Sequence, residues 1–112
     1  MRTLAALADI PDNTARSFPA SPGGFTRLFV VRRGDQAYAY VNACPHIGVA
    51  LDWAPDQFLT ADAAQIVCGT HGALFDIPTG LCVAGPCKGE TLEAIPLTIL
   101  NGLLLVRDDA GL

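Results

Sequence analysis

The chain has 112 residues, of which 51% are hydrophobic and 16% are charged, so it can bury one domain core but leaves no room for a second, catalytic domain. The apolar run at residues 4–8 is too short for a membrane span or a secretory signal core, and we therefore expect a cytoplasmic protein with no membrane partner. The net charge of -4, with no basic run to contact phosphates, argues against a nucleic-acid partner.

Two strand signals stand out in the first half of the chain. Residues 12–24 contain prolines and paired glycines, a composition typical of an irregular connection or a wide hairpin loop. Residues 25–32 and 36–42 are rich in aromatic and β-branched side chains and predict strands. Between them, Arg33-Gly34-Asp35 predicts a tight turn, because glycine and aspartate favour turn conformations.

The second half carries short strand signals and one hairpin. Residues 65–67 and 73–77 are short strand candidates, and Asn101-Gly102 between two apolar runs predicts a two-residue hairpin turn. That turn places four apolar residues on one face, which we expect to be core because a slip of one residue would turn all of them outward. They are Leu97, Ile99, Leu104 and Val106. No segment shows a long helical period bounded by caps, so the predicted fold class is all-β.

The strongest chemical signal is a pair of short motifs that contain both histidines of the chain. Cys44-Pro45-His46 is followed, after 21 intervening residues, by Cys68-Gly69-Thr70-His71. Two thiolates and two imidazoles can hold a 2Fe-2S cluster with sulfur on one iron and nitrogen on the other. The same donor set also suits tetrahedral zinc, but zinc fingers favour paired cysteines and paired histidines. The interleaved order therefore favours the iron-sulfur interpretation.

These motifs resemble the Rieske iron-sulfur signature. The resemblance runs through Cys44-Pro45-His46-Ile47-Gly48, Cys68-Gly69-Thr70-His71-Gly72-Ala73-Leu74-Phe75-Asp76, Thr79-Gly80 and Gly85-Pro86. It implies that Cys44 and Cys68 bind the inner iron of the cluster. It likewise implies that His46 and His71 bind the outer iron at the protein surface. The gap between His46 and Cys68 is several residues longer than is commonest in the family, and we expect the extra length at residues 52–62.

The resemblance also implies the Rieske fold in a single domain over residues 1–112. Residues 1–42 and 88–112 are expected to form the base, an antiparallel β-sandwich or barrel. Residues 43–87 are expected to form a smaller cluster-binding lobe, made of two loops and inserted between the base strands.

Departures from the high-potential members of the family predict a low potential. Those relatives carry a serine and a tyrosine whose hydroxyls hydrogen-bond to the cluster sulfurs, and the matching places here are Ala73 and Phe75. They also join their two cluster loops by a disulfide, at places that correspond to Val49 and Thr70. We therefore expect a midpoint near the low end of the Rieske range, about -150 mV.

Four further residues have open roles. Cys82 and Cys87 are either small apolar side chains packed under the cluster or a pair that forms a disulfide or reacts. Trp53 and Phe58 lie in the long segment between the motifs and either pack within the lobe or form an apolar docking surface.

The chain has no histidine beyond His46 and His71 to hold a mononuclear oxygenase iron, so it is expected to be an electron carrier and not an enzyme. The resemblance implies a monomeric Rieske ferredoxin that takes one electron from a flavin-dependent reductase and passes it to a terminal oxygenase or other oxidoreductase. An alternative is the small subunit of a complex similar to nitrite reductase. A third interpretation is a redox sensor that uses Cys82 and Cys87.

Overall fold

The computed structural model describes residues 2–18, 27–45, 51–52, 57–69 and 72–106. These residues form three antiparallel sheets and a single 3-10 turn at Leu7–Asp9, which confirms the all-β fold class. The strands are β1 (Arg2–Ala6), β2 (Ala15–Phe18), β3 (Leu28–Arg33), β4 (Gln36–Val41), β5 (Gln65–Val67), β6 (Leu74–Asp76), β7 (Cys82–Ala84), β8 (Ala94–Ile95), β9 (Leu97–Leu100) and β10 (Leu103–Val106). Within the described residues, no helix has the length and apolarity needed to cross a membrane.

The three sheets are named by position. The terminal sheet has the strand order β1-β10-β9, the central sheet β2-β3-β4-β8, and the small sheet β5-β6-β7. All three strands of the small sheet lie between residues 65 and 84.

Strand β3 of the central sheet is buried on both faces. Leu28 to Val31 in β3 are all fully buried, and successive side chains point to opposite faces of a strand. Leu28 and Val30 belong to one core, whereas Phe29 and Val31 belong to the other. The base core contains Ile10, Phe18, Leu28, Val30, Ala39, Val41, Ile95, Leu104 and Val106. The lobe core contains Ala15, Phe29, Val31, Tyr40, Cys44, Leu51, Phe58, Ile66, Cys68, Ala73, Phe75, Ile77, Cys82, Cys87 and Leu92.

The Asn101-Gly102 turn joins β9 to β10 as predicted. Leu100 pairs with Leu103, and both turn residues have left-handed φ angles, 52° and 76°. Asn and Gly tolerate that conformation at the smallest steric cost. The face prediction is confirmed for Leu104 and Val106, which are buried, and for Leu97, which packs against the base core. Ile99 pairs with Leu104 and therefore shares this face as predicted. The expectation that it is core is wrong, because it is 39% exposed on β9, the last strand in the order of the terminal sheet.

The predicted irregular segment at residues 12–24 is wrong in part, because β2 occupies Ala15–Phe18. Ala15 faces the lobe core and Phe18 faces the base core, so the four residues carry no alternating apolar pattern. Pairing with β3, and not local propensity, makes this segment a strand. Residues 19–24 lie outside the described residues. The predicted strands at 36–42, 65–67 and 73–77 agree with β4, β5 and β6 to within one residue at each end.

Tyr40 connects the central sheet to the segment that follows β6. Its hydroxyl donates a hydrogen bond of 2.5 Å to the carbonyl oxygen of Ile77, inside the lobe core. Burial, with the nearby charge of Asp76, raises the pKa of Tyr40 to about 12. The phenol therefore stays protonated and keeps donating through the whole neutral pH range.

Candidate metal centre

The structure brings the two predicted sulfur ligands into one core. Cys44 follows β4 and Cys68 follows β5, and their side chains are 1% and 0% exposed within the lobe core. All four cysteines lie in the described residues, and none forms a disulfide. His46 and His71 lie outside the described residues. Among the described residues alone, no group of three or more histidine, cysteine, aspartate or glutamate side chains could hold a metal ion. The four-residue ligand set stays a prediction.

Backbone hydrogen bonds close the loop that contains the second motif. The Cys68 amide donates to the carbonyl oxygen of Ala73 at 2.9 Å, and the Gly72 amide donates to that of Cys68 at 2.8 Å. Both bonds cross the loop between β5 and β6, which are themselves paired. The position of the Cys68 thiol is therefore fixed by the small sheet on both sides.

Asn42 links the first motif to the second. It is a polar residue that is only 8% exposed, two residues before Cys44. Its Oδ1 accepts a 2.8 Å hydrogen bond from the Leu51 amide, and its Nδ2 donates to Asp52 at 3.1 Å. Leu51 in turn accepts a 2.9 Å hydrogen bond from the Gly69 amide, next to Cys68. A continuous hydrogen-bond path thus connects the backbone beside one thiol with the backbone beside the other.

Sequence reasoning missed the role of Asn42. The available signal was a polar residue that follows the run of apolar and aromatic residues at 37–41 and stands two residues before Cys44. That signal does not reveal a partner nine residues away, because the path through Leu51 depends on the tertiary fold.

The two remaining cysteines form a pair of thiols beside Cys44. Their Sγ atoms are 3.1 Å apart, and the side chains of Cys82 and Cys87 are 1% and 2% exposed. Burial raises the pKa of the Cys87 thiol to about 12, and contacts with Cys82 and Cys44 act in the same direction. Both thiols pack in the lobe core, as the packing interpretation predicts, but they lie against each other and beside a predicted ligand.

Aromatic packing joins the lobe core to the central sheet. Phe58 is fully buried and stacks on Phe29, with ring centroids 4.3 Å apart and an angle of 8° between the planes. Its packing role is therefore confirmed over a docking role, while Trp53 lies outside the described residues. Ala73 and Phe75 are also fully buried, and neither side chain carries a hydrogen-bond donor.

The donor chemistry fits a soft metal centre. A thiolate buried in an apolar core without a cation is strongly disfavoured, and a bound metal supplies the missing positive charge. Cys44 follows β4, Cys68 follows β5, and both thiols are buried in the lobe core. The lobe core therefore offers two sulfur ligands that are shielded from water.

Comparison with known proteins agrees with this chemistry. A family model described as the Rieske [2Fe-2S] domain matches residues 3–100. The ferredoxin CarAc of Metapseudomonas resinovorans is 32% identical over 84 residues, which cover 75% of this chain and 72% of that protein.

Solved structures extend the likeness to nearly the whole chain. The ferredoxin of carbazole 1,9a-dioxygenase from Nocardioides aromaticivorans IC177 is 28% identical with a TM-score of 0.75, and the match covers 94% of each chain. A chain from the complex of reduced oxygenase and oxidized ferredoxin in carbazole 1,9a-dioxygenase is 27% identical with a TM-score of 0.76. That match covers 99% of this chain and 95% of the other.

Proposed function

This chain belongs to the Rieske [2Fe-2S] domain family and carries a Rieske-type 2Fe-2S cluster, and from that premise we propose that it delivers single electrons to a terminal oxygenase. The observation that carries the proposal is the likeness to oxygenase ferredoxins over at least 94% of both chains. Such coverage favours a separate carrier over a small subunit of a larger enzyme complex. When bound, the cluster supplies a couple that gains or loses one electron.

We propose that Cys44 and Cys68 bind the inner iron and that His46 and His71 bind the outer iron. The burial of both thiols supports this assignment, since the inner sulfur ligands must be shielded from water. The hydrogen-bond path through Asn42 and Leu51 holds the backbone beside the two cysteines in a fixed relation. Imidazoles at the surface would then form the exit for the electron.

The division into a base and a lobe is part of the same proposal. Residues 1–42 and 88–112 would form the base, and residues 43–87 the lobe that holds the cluster. The small sheet within residues 65–84 and its contact with one face of the central sheet support this division.

The partners are proposed to be a flavin-dependent reductase, which supplies the electron, and a terminal oxygenase, which accepts it. The relatives named above include a ferredoxin in complex with its oxygenase. The net charge of -4 and exposed carboxylates such as Glu90 suit steering toward a basic surface on either partner. We further propose that the carrier is a monomer and works in the cytoplasm, where thiols stay reduced.

Electron delivery can be tested with a purified terminal oxygenase of the carbazole 1,9a-dioxygenase type. The reduced protein is mixed anaerobically with oxidised oxygenase in a stopped-flow instrument, and reoxidation is followed by visible absorbance. We expect transfer that slows as ionic strength rises, because opposite charges are then screened. Glu90→Gln should slow transfer at low salt. Asp35→Asn, at the far end of β4 from the site, should change it less. Failure of the reduced protein to transfer electrons to any such oxygenase would contradict the proposal.

A further inference from the structure

Cys82 and Cys87 form a contact pair that has no role in the proposed function. Their Sγ atoms are 3.1 Å apart, both side chains are buried, and both cysteines are free in the structure. The sulfurs of a disulfide are about 2.05 Å apart, so these two have to approach by only about 1 Å. We propose that Cys82 and Cys87 are a redox-active dithiol, which a small peroxide oxidises to a reversible disulfide that fixes the turn at residues 82–90.

Backbone hydrogen bonds hold the two cysteines face to face. The amide of Gly89 donates to the carbonyl oxygen of Cys82 at 3.0 Å, and the amide of Cys82 donates to that of Glu90 at 2.7 Å. The Glu90 amide also donates to the carbonyl oxygen of Cys87 at 2.9 Å. Cysteines whose backbones lie too far apart cannot be bridged without moving the main chain. Here the folded turn already brings the sulfurs into contact, so rotation of the side chains closes the bond.

The buried pair lies beneath a single exposed turn. The side chains of Cys82 and Cys87 are 1% and 2% exposed, whereas four residues of the turn are exposed to solvent, namely Gly85, Pro86, Lys88 and Gly89. Short exposed segments open at a lower free-energy cost than paired core strands. Opening of this turn uncovers both thiols, while Cys82 stays paired with Phe75 in the small sheet. A small oxidant therefore reaches the pair without unfolding of the lobe.

The oxidation balances with hydrogen peroxide as the oxidant. The sulfur of one thiol attacks a peroxide oxygen, the O–O bond breaks, and a sulfenic acid and one water molecule form. The sulfur of the other thiol then attacks the sulfenic sulfur, the S–S bond forms, and a second water molecule leaves. The two thiols lose two electrons and two protons, and the peroxide is reduced to two water molecules. An added dithiol such as dithiothreitol reverses the reaction by thiol–disulfide exchange.

The turn packs against the loop that contains the second motif. A Cβ atom added to Gly85 would lie 2.7 Å from the Cα atom of Ala73. The carbonyl oxygen of Ala73 accepts the 2.9 Å hydrogen bond from the amide of Cys68. A disulfide between Cys82 and Cys87 therefore restricts the backbone that covers the candidate metal centre, and it leaves the sulfur of Cys68 available as a ligand.

The test is mass spectrometry of the holoprotein after treatment with hydrogen peroxide, at concentrations that leave the visible absorbance of the cluster unchanged. The protein is then denatured, alkylated, and cleaved before aspartate and after lysine and arginine. Cys82 and Cys87 then share peptide 76–88, whereas Cys44 lies in peptide 35–51 and Cys68 in peptide 62–75. We expect peptide 76–88 to be lighter by two hydrogen atoms and to take up no alkylating reagent. After dithiothreitol treatment it should take up reagent on both cysteines.

Variants and a stability measurement test the pairing and its effect on the turn. Cys82→Ala and Cys87→Ala each leave one thiol and should form no link within peptide 76–88. The matched control is Val83→Ala, which changes an exposed side chain of the same strand and should oxidise as the wild-type protein does. A disulfide between residues 82 and 87 should raise the folded-to-unfolded ratio of the wild-type holoprotein about 40-fold in urea denaturation, by the chain-entropy relation. Peroxide should leave that ratio unchanged in Cys82→Ala.

Three results would overturn the inference. They are full alkylation of peptide 76–88 after peroxide treatment, a link that joins this peptide to peptide 35–51, and equal stability of the oxidised and reduced wild-type protein. The proposed function fails separately, because neither measurement involves an oxygenase. A protein that forms the disulfide as expected, but gives no electron to a terminal oxygenase, would contradict the function alone.

Discussion

The substitution Asn42→Ala removes the side chain that connects the backbone beside Cys44 with the backbone beside Cys68. The Leu51 amide then loses its 2.8 Å acceptor in a residue that is fully buried, and Asp52 loses a 3.1 Å donor. Leaving a buried donor without a partner costs about 1–3 kcal/mol, and the half-buried carboxylate of Asp52 adds less because water can replace its partner. We expect a total loss of about 2–3 kcal/mol in the free energy of unfolding.

The loss is measured on the holoprotein by urea denaturation, followed by far-UV circular dichroism and by the visible absorbance of the cluster. A loss of that size lowers Tm by roughly 8–12 °C in a domain of this length. The matched control is Gln36→Ala, which removes an exposed amide at the other end of β4 and should change stability by less than about 0.5 kcal/mol. Equal stability of Asn42→Ala and Gln36→Ala would refute the role of the Asn42 hydrogen bonds.

The remaining predictions concern two glycines, Tyr40 and the midpoint potential. Gly85→Ala, at φ +98°, places a Cβ 2.7 Å from the Cα of Ala73 and should destabilise the protein by about 2–4 kcal/mol. Gly89→Ala, with a similar φ but open space around the new Cβ, should cost only about 1–2 kcal/mol by the same denaturation assay. Since burial raises the pKa of Tyr40 from 10 to about 12, the protein should lose about 2–3 kcal/mol of stability between pH 10 and 12, a loss absent in Tyr40→Phe. Because neither Ala73 nor Phe75 carries a side-chain hydrogen-bond donor, the midpoint reduction potential at neutral pH should be about -150 mV. A clearly positive value by voltammetry would contradict this expectation.

The parts of the fold that were predictable from sequence depend on local chemistry. Asn101-Gly102 predicted the β9–β10 turn because few residue pairs tolerate two left-handed conformations. The strands around residues 36–42 and 65–67 were predicted from their side chains alone. By contrast, β2 at Ala15–Phe18 forms through pairing with β3, and the exposure of Ile99 depends on the strand order of the terminal sheet.

The same division holds for the candidate site. The two cysteine and histidine motifs contain the predicted ligand types at the predicted spacing, so a 2Fe-2S cluster was predictable from the sequence. The supporting contacts were not, because they join residues that are distant in sequence and carry no periodic signal. Asn42 reaches Leu51 and, through it, Gly69, and Tyr40 reaches the carbonyl oxygen of Ile77.

We propose that Cys44, Cys68, His46 and His71 hold a 2Fe-2S cluster with mixed sulfur and nitrogen ligation. Electron paramagnetic resonance of the dithionite-reduced protein tests it most directly. We expect a rhombic signal whose mean g value lies below that of the free electron, in material that contains iron and acid-labile sulfide. A spectrum typical of all-cysteine ligation, or anaerobically prepared protein with no iron and no labile sulfide, would contradict it.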